Sequence, residues 1–162
     1  GPMTMQTLSE DLSDAHTAMT EYWDSKRNGS RLPLRRDLNP CELRRYLSHI
    51  SIIELVEGDC SVRLSGTVAK RQFGLRQKAR ISSDLRLIES NWWLQTAKAT
   101  VEQGMPCHGI RQASDGLHAW LRLPLLDCVT GTPIVMCHDS LMPFATDNEP
   151  TRSRRLAQPI AA

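Results

Sequence analysis

No stretch of this chain approaches the roughly 20 apolar residues that a bilayer-spanning helix needs, and no charged-then-apolar leader precedes a small-residue cleavage site. A soluble, unexported protein without a membrane partner is expected. The chain also lacks any Cys-x-x-Cys pair. Its five cysteines, Cys41, Cys60, Cys107, Cys128 and Cys137, are odd in number and scattered, which argues against a disulfide framework and for a reducing cytoplasm with buried or half-buried thiols. Excess charge is missing too: 20 basic against 18 acidic side chains leave +2, too little by itself to require a nucleic-acid partner. There is no GxSxG or HExxH signature and no internal repeat, so an enzyme is not expected.

What remains, at 162 residues, is enough chain for one ordinary domain with extensions, able to bury a core without metal or disulfide staples. Residues 1–6 are set aside: Gly1-Pro2 before Met3 reads as the scar of a cleaved tag, with a native start at Met3 or Met5. Residues 7–29 read as an amphipathic helix. Leu8, Leu12, Ala15, Met19 and Tyr22 with Trp23 recur at spacings of three and four. Thr7 with Glu10 forms a capping-box pattern, and Asn28-Gly29 a left-handed stop. The apolar stripe either packs on its own domain or, through Leu8, Leu12, Ala15 and Met19, pairs with a second copy to make a homodimer.

The stretch from Arg31 to Thr67 is the nucleus of the remainder, residues 30–145. Leu32 precedes a proline and is biased away from helix. Asn39 then caps a short helix with Pro40 at its first position and Glu42 at its third, carrying Leu43, Tyr46 and Leu47 inward. Strands are expected over Ile50 to Val56 and Ser61 to Thr67, joined by Glu57-Gly58-Asp59 as a hairpin. Short helical turns broken at Gly74 follow, then a helix from about Asp84 to Gln103 with Leu85, Ile88, Trp92 and Ala99 on its stripe, stopped by Gly104 and Pro106. Cys107 to Ala113, His118 to Leu126 and Ile134 to Leu141, linked by turn residues, complete an antiparallel meander. The expected class is α+β, a five-stranded antiparallel sheet backed on one face by helices, with the amphipathic helix at the N-terminus. Residues 146–162, with Arg152, Arg154 and Arg155, read as a flexible basic tail.

Tyr22-Trp23, Arg27, Gly29, Leu32-Pro33, Arg35, Asp37, Pro40, Leu43 and the run Val62 to Thr67 together resemble the PAS-like domain family widespread in alphaproteobacteria. Leu121 to Asp127 followed by Ile134-Val135-Met136 is similar to that family's closing hairpin, so the resemblance extends over about Thr17 to Leu141. It implies a scaffold more than a chemistry: a cytoplasmic sensory or signalling module that takes a small ligand or a partner signalling protein and relays it through the N-terminal helix and homodimer contacts. A different class of reading is a ligand-free protein-interaction adaptor. The chain departs from the family at Gln77-Lys78-Ala79-Arg80, where a Gly-containing turn, often Thr-Gly-Arg, is common. A flavin-adduct photosensor is excluded, because no cysteine lies between Cys60 and Cys107.

If a ligand binds, the resemblance implies a pocket between the sheet and the helices. Alternation puts Ala119, Leu121, Leu123 and Leu125 on one face of a strand and Trp120 and Arg122 on the other; Met136 and His138 share a face, and Arg63 lies opposite Val62 and Leu64. Pattern leaves open which set meets the helices. Trp92 with Trp120, Arg122, Arg63 or His138 would supply an aromatic wall and a cationic anchor. Alternatively Arg63 and Arg122 lie on the outer face, bridged to Glu54 or Asp59, and Trp92 is core. Cys107-His108 and Cys137-His138 cannot each offer both side chains to one site, because neighbours on a strand diverge, so neither a metal nor haem is expected. The basic run with Lys70, Arg71 and Arg76 reads as a solvated face or an anion site. For nucleic acid it lacks stacking aromatics, since only Phe73 interrupts it.

Overall fold

The computed structural model describes residues 5–83 and 89–144, with side chains from Asp14 onward in those ranges. Helix α1 spans Met5–Ser25. Because it starts at Met5, Thr7 lies inside it and is not its N-cap, a correction to the capping-box expectation. Two 3-10 turns, Pro40–Leu43 and Leu47–His49, replace the single short helix expected there. The Asn39 side chain still caps the first, accepting from the Cys41 amide at 3.0 Å.

The strands are β1 (Ile50–Val56), β2 (Asp59–Ser65), β3 (Cys107–Gln112), β4 (Gly116–Leu126) and β5 (Pro133–Pro143). They form one antiparallel sheet in the order β2-β1-β5-β4-β3. Between β2 and β3 run α2 (Thr67–Phe73) and α3 (Ser90–Gln103). Gly66, which joins β2 to α2, passes so close to the 47–48 backbone that a Cβ there would collide with the Leu47 and Ser48 carbonyl oxygens. Only glycine permits that approach.

The sheet is covered on both faces, because each strand carries apolar side chains on alternate sides. On one face, Ile50, Ile52, Leu121, Leu123, Leu125, Ile134 and Met136 meet Met19 and Trp23 of α1 and Leu38 and Leu43 of the connector. Trp23 anchors that layer by donating Nε1–H to the Pro124 carbonyl at 2.7 Å. On the other face, Ile53, Cys60, Val62, Val135 and Cys137 meet Ala69 of α2 and Trp93 and Ala97 of α3. Helix α3 therefore buries Trp93, Ala97 and Thr100, a stripe one position on from the expected Trp92 and Ala99; Leu85 and Ile88 lie outside the described residues.

The two sheet edges differ. Beyond β2, the 78–80 segment adds ladder-like bonds: Val62 donates to the Ala79 carbonyl at 2.9 Å and Lys78 donates to the Val62 carbonyl at 2.7 Å. In this turn Lys78 takes the left-handed conformation (φ 71°) that glycine adopts without strain. Beyond β3, no strand pairs among the described residues.

Candidate functional site

Register brings the chemistry together on the face covered by α2 and α3. Asp139 of β5 stands opposite Trp120 of β4, so His118 and Arg122, two residues either way along β4, flank it diagonally. His118 Nε2 lies 2.6 Å from Asp139 Oδ1, and Arg122 Nη1 donates to Asp139 Oδ2 at 3.0 Å. Arg122 Nη1 also donates to the Leu121 carbonyl at 2.9 Å. Arg122 and Asp139 are completely buried and His118 nearly so. The guanidinium is boxed by aromatic rings, its centre 4.6 Å from Trp93, 5.3 Å from Trp92 and 5.8 Å from Trp120.

Two buried charges survive here because each answers the other. Burial alone would raise the Asp139 carboxyl, but Arg122 and His118 hold it below its ordinary value. Burial likewise opposes the Arg122 charge, and Asp139 more than offsets it. The match is incomplete. Arg122 Nη2 sits 2.9 Å from Asp139 Oδ1 yet outside hydrogen-bond geometry, and Nη2 and Nε find no acceptor among the described residues. Unmet donors on a buried guanidinium are costly.

The cluster borders a cavity at His118. A cavity of about 230 Å³ is lined by His118, Trp93, Phe73, Arg71, Arg111 and Glu89 among others. Arg111 stands at its rim, 3.3 Å from His118 Nδ1 and paired to Glu89 at 2.6 and 3.3 Å. It also stacks over Trp92 at 4.4 Å.

Trp92, Trp120 and Arg122 therefore meet as a group, but Arg63 and His138 do not join them. Arg63 sits on the opposite face at the sheet margin, ion-paired to Glu54 at 3.4 Å and to Asp127 at 3.2 Å. His138 also faces α1, where His16 Nε2 lies 3.1 Å from its Nδ1 and the His49 ring stacks on it at 5.3 Å. Of the cationic run, Arg71 borders the cavity while Lys70 and Arg76 are simply exposed. Of the dimer stripe, Met19 is fully buried on its own sheet and Ala15 is half-buried; the side chains of Leu8 and Leu12 lie outside those described. His118, Asp139, Trp93 and Arg111 were not anticipated. Their signal was an acid, Asp139, in the mostly apolar run Ile134 to Met142 opposite a strand carrying Arg122, since two charges in two central strands call for each other.

A family model described as PAS domain matches residues 12–107, more than half of the chain. The chain belongs to the PAS domain family. PAS domains are sensory and signalling modules, and this is the functional class of the chain. The match ends at Cys107, so Arg111, His118, Arg122 and Asp139 are placed by the structure and not by the family match. Among solved structures, the PAS domain of histidine kinase ThkA is 17% identical with a TM-score of 0.41, covering 56% of this chain and 98% of its own. No curated protein matches. Among the described residues no helix is long and apolar enough to cross a membrane, and no group of three or more His, Cys, Asp or Glu side chains is arranged to hold a metal.

Proposed function

We propose that this PAS domain senses a small anionic ligand admitted beside His118, working in a reducing cytoplasm. The observation that carries this reading is the cavity that ends on His118, which is bonded to Asp139, which in turn holds the under-satisfied Arg122. A guest carboxylate or phosphate would displace Glu89 from Arg111 at the rim, and His118 would transmit the change to β4 and β5. Because both strands also carry the α1 contacts on their reverse side, occupancy has a direct route to α1 and thence to a partner protein or second copy. A binding role is favoured over a catalytic one because the His118 Nδ1 lone pair faces the Arg111 guanidinium and not a hydroxyl or thiol. The unpaired state of all five cysteines fits the compartment.

Native mass spectrometry of freshly purified protein tests the reading. A small-molecule adduct that disappears on denaturation is expected, with occupancy reduced about 10- to 100-fold in Arg111→Ala, the range for losing a hydrogen bond to a charged group. Bare protein across anionic ligand panels would instead favour a ligand-free interaction module. That second reading is supported by the open edge at β3, where Ile110 and nearby Met105 are 58% and 48% exposed.

A further inference from the structure

On the face opposite the cavity, three imidazoles converge where α1 docks. His16 comes from α1, His138 from β5 and His49 from the 3-10 turn ahead of β1. His16 Nε2 and His138 Nδ1 are 3.1 Å apart, a separation that requires one nitrogen to donate and the other to keep its lone pair. His49 lies nearly parallel on His138, with ring centroids 5.3 Å apart, and Tyr46 meets the same ring edge-on at 6.2 Å. We propose that this histidine cluster gates the docking of α1 by protons, acidification releasing the helix from the sheet.

The surroundings give a second proton little shelter. From β5, Asp139 attracts protons towards His16, His49 and His138, but it is on the other face and already answered by Arg122. From β4, Arg122 repels charge on both His16 and His138, and His118 adds to this at His16. From β3, His108 opposes a charge on His16, and from α2, Arg71 opposes one on His49. Burial is the largest influence: it pushes His16 down to about 4 and His138 down to about 3, and it lowers His49 as well. These are folded values depressed below the ordinary 6.5, so the docked state is favoured above that pH and loses its advantage as the pH falls through it. From pH 7.5 to pH 5.5 His16 and His138 each shift the docked-to-released ratio about tenfold, and together about a hundredfold.

The inference stands apart from the ligand reading, because the cluster and the cavity lie on opposite faces. Hydrogen exchange across residues 14–25, corrected for the intrinsic pH dependence of exchange, reads it out with α3 as internal reference. Protection of α1 is expected to fall about a hundredfold between pH 7.5 and 5.5 while α3 barely changes. In the His16→Gln, His138→Asn double variant, whose amides keep a donor and an acceptor near the original nitrogens, the fall should shrink to a few-fold or less. An unchanged α1 in the wild type, or an equal fall in the variant, overturns the proposal. NMR titration of the wild-type imidazoles is independent of how the variant folds: His16 and His138 midpoints below about 5 uphold it, and midpoints near 6.5 with α1 still docked overturn it.

Discussion

The two faces of this sheet bury polar side chains by opposite means. Towards α2 and α3, Arg122 and Asp139 keep full charges because they lie within hydrogen-bond reach of each other, with tryptophans sealing the box. Towards α1, His16 and His138 have only each other and neighbouring rings, so burial strips them of charge. Strand β5 contributes one member to each pair, Asp139 and His138, and both are buried; the difference is whether an opposite charge lies within reach. A charge-retaining core is vulnerable to loss of a partner, and a charge-shedding one to protons.

Deleting one member of the charged pair should give the largest effect. Asp139→Ala strands Arg122 in the core and is expected to cost about 3–5 kcal/mol in urea unfolding. Replacing both, Arg122→Met with Asp139→Leu, should recover part of that loss but not all, because the buried His118 Nε2 still loses its acceptor. Trp23→Ala, on the opposite face, removes a buried indole and its bond to Pro124 and should also cost about 3–5 kcal/mol. By contrast, His138→Asn should cost only about 1 kcal/mol at neutral pH, since no charge is orphaned.

Acid sharpens the same contrast. His16 and His138 take protons at lower pH in the fold than in the unfolded chain, so the stability they confer is complete above about 6.5 and declines by up to about 1.4 kcal/mol per unit per histidine below it. Asp139 and Asp127, whose folded values are also depressed, confer stability that is lost only once the pH drops into the carboxylate range. Unfolding followed against pH should therefore weaken first between about 6.5 and 4.5, and His16→Gln with His138→Asn should flatten that limb alone. The smallest expected change is at Lys78, where glycine relieves the left-handed strain but frees the unfolded chain, for a net gain of about 0.5–1 kcal/mol.

Much of the architecture was readable from periodicity and turn chemistry. The strands over Ile50–Val56 and the meander from Cys107 matched to within a residue or two, because Gly58, Gly104 and Gly131 adopt the positive φ that their positions imply. The site was less readable. Alternation correctly separated Trp120 and Arg122 from Leu121 and Leu123, and it put Met136 with His138. It could not show that these two sets belong to different layers, since a central sheet buried on both sides looks apolar throughout. That is why Arg63 and His138 were grouped with residues on the opposite face. The α3 stripe slipped by one position for a related reason: Trp92 and Trp93 are adjacent and equally apolar, both reach Arg122, and it is Trp93 that meets Phe73 and enters the interior.

The margins of the sheet also set how copies of this domain can assemble. Among the described residues, the 78–80 segment already bonds to Val62 of β2, and β3 is the edge without a partner strand. Where strand addition is confined to β3, growth stops as soon as one β3 meets another. A layer open along one margin only can form a closed pair and not an open-ended ribbon.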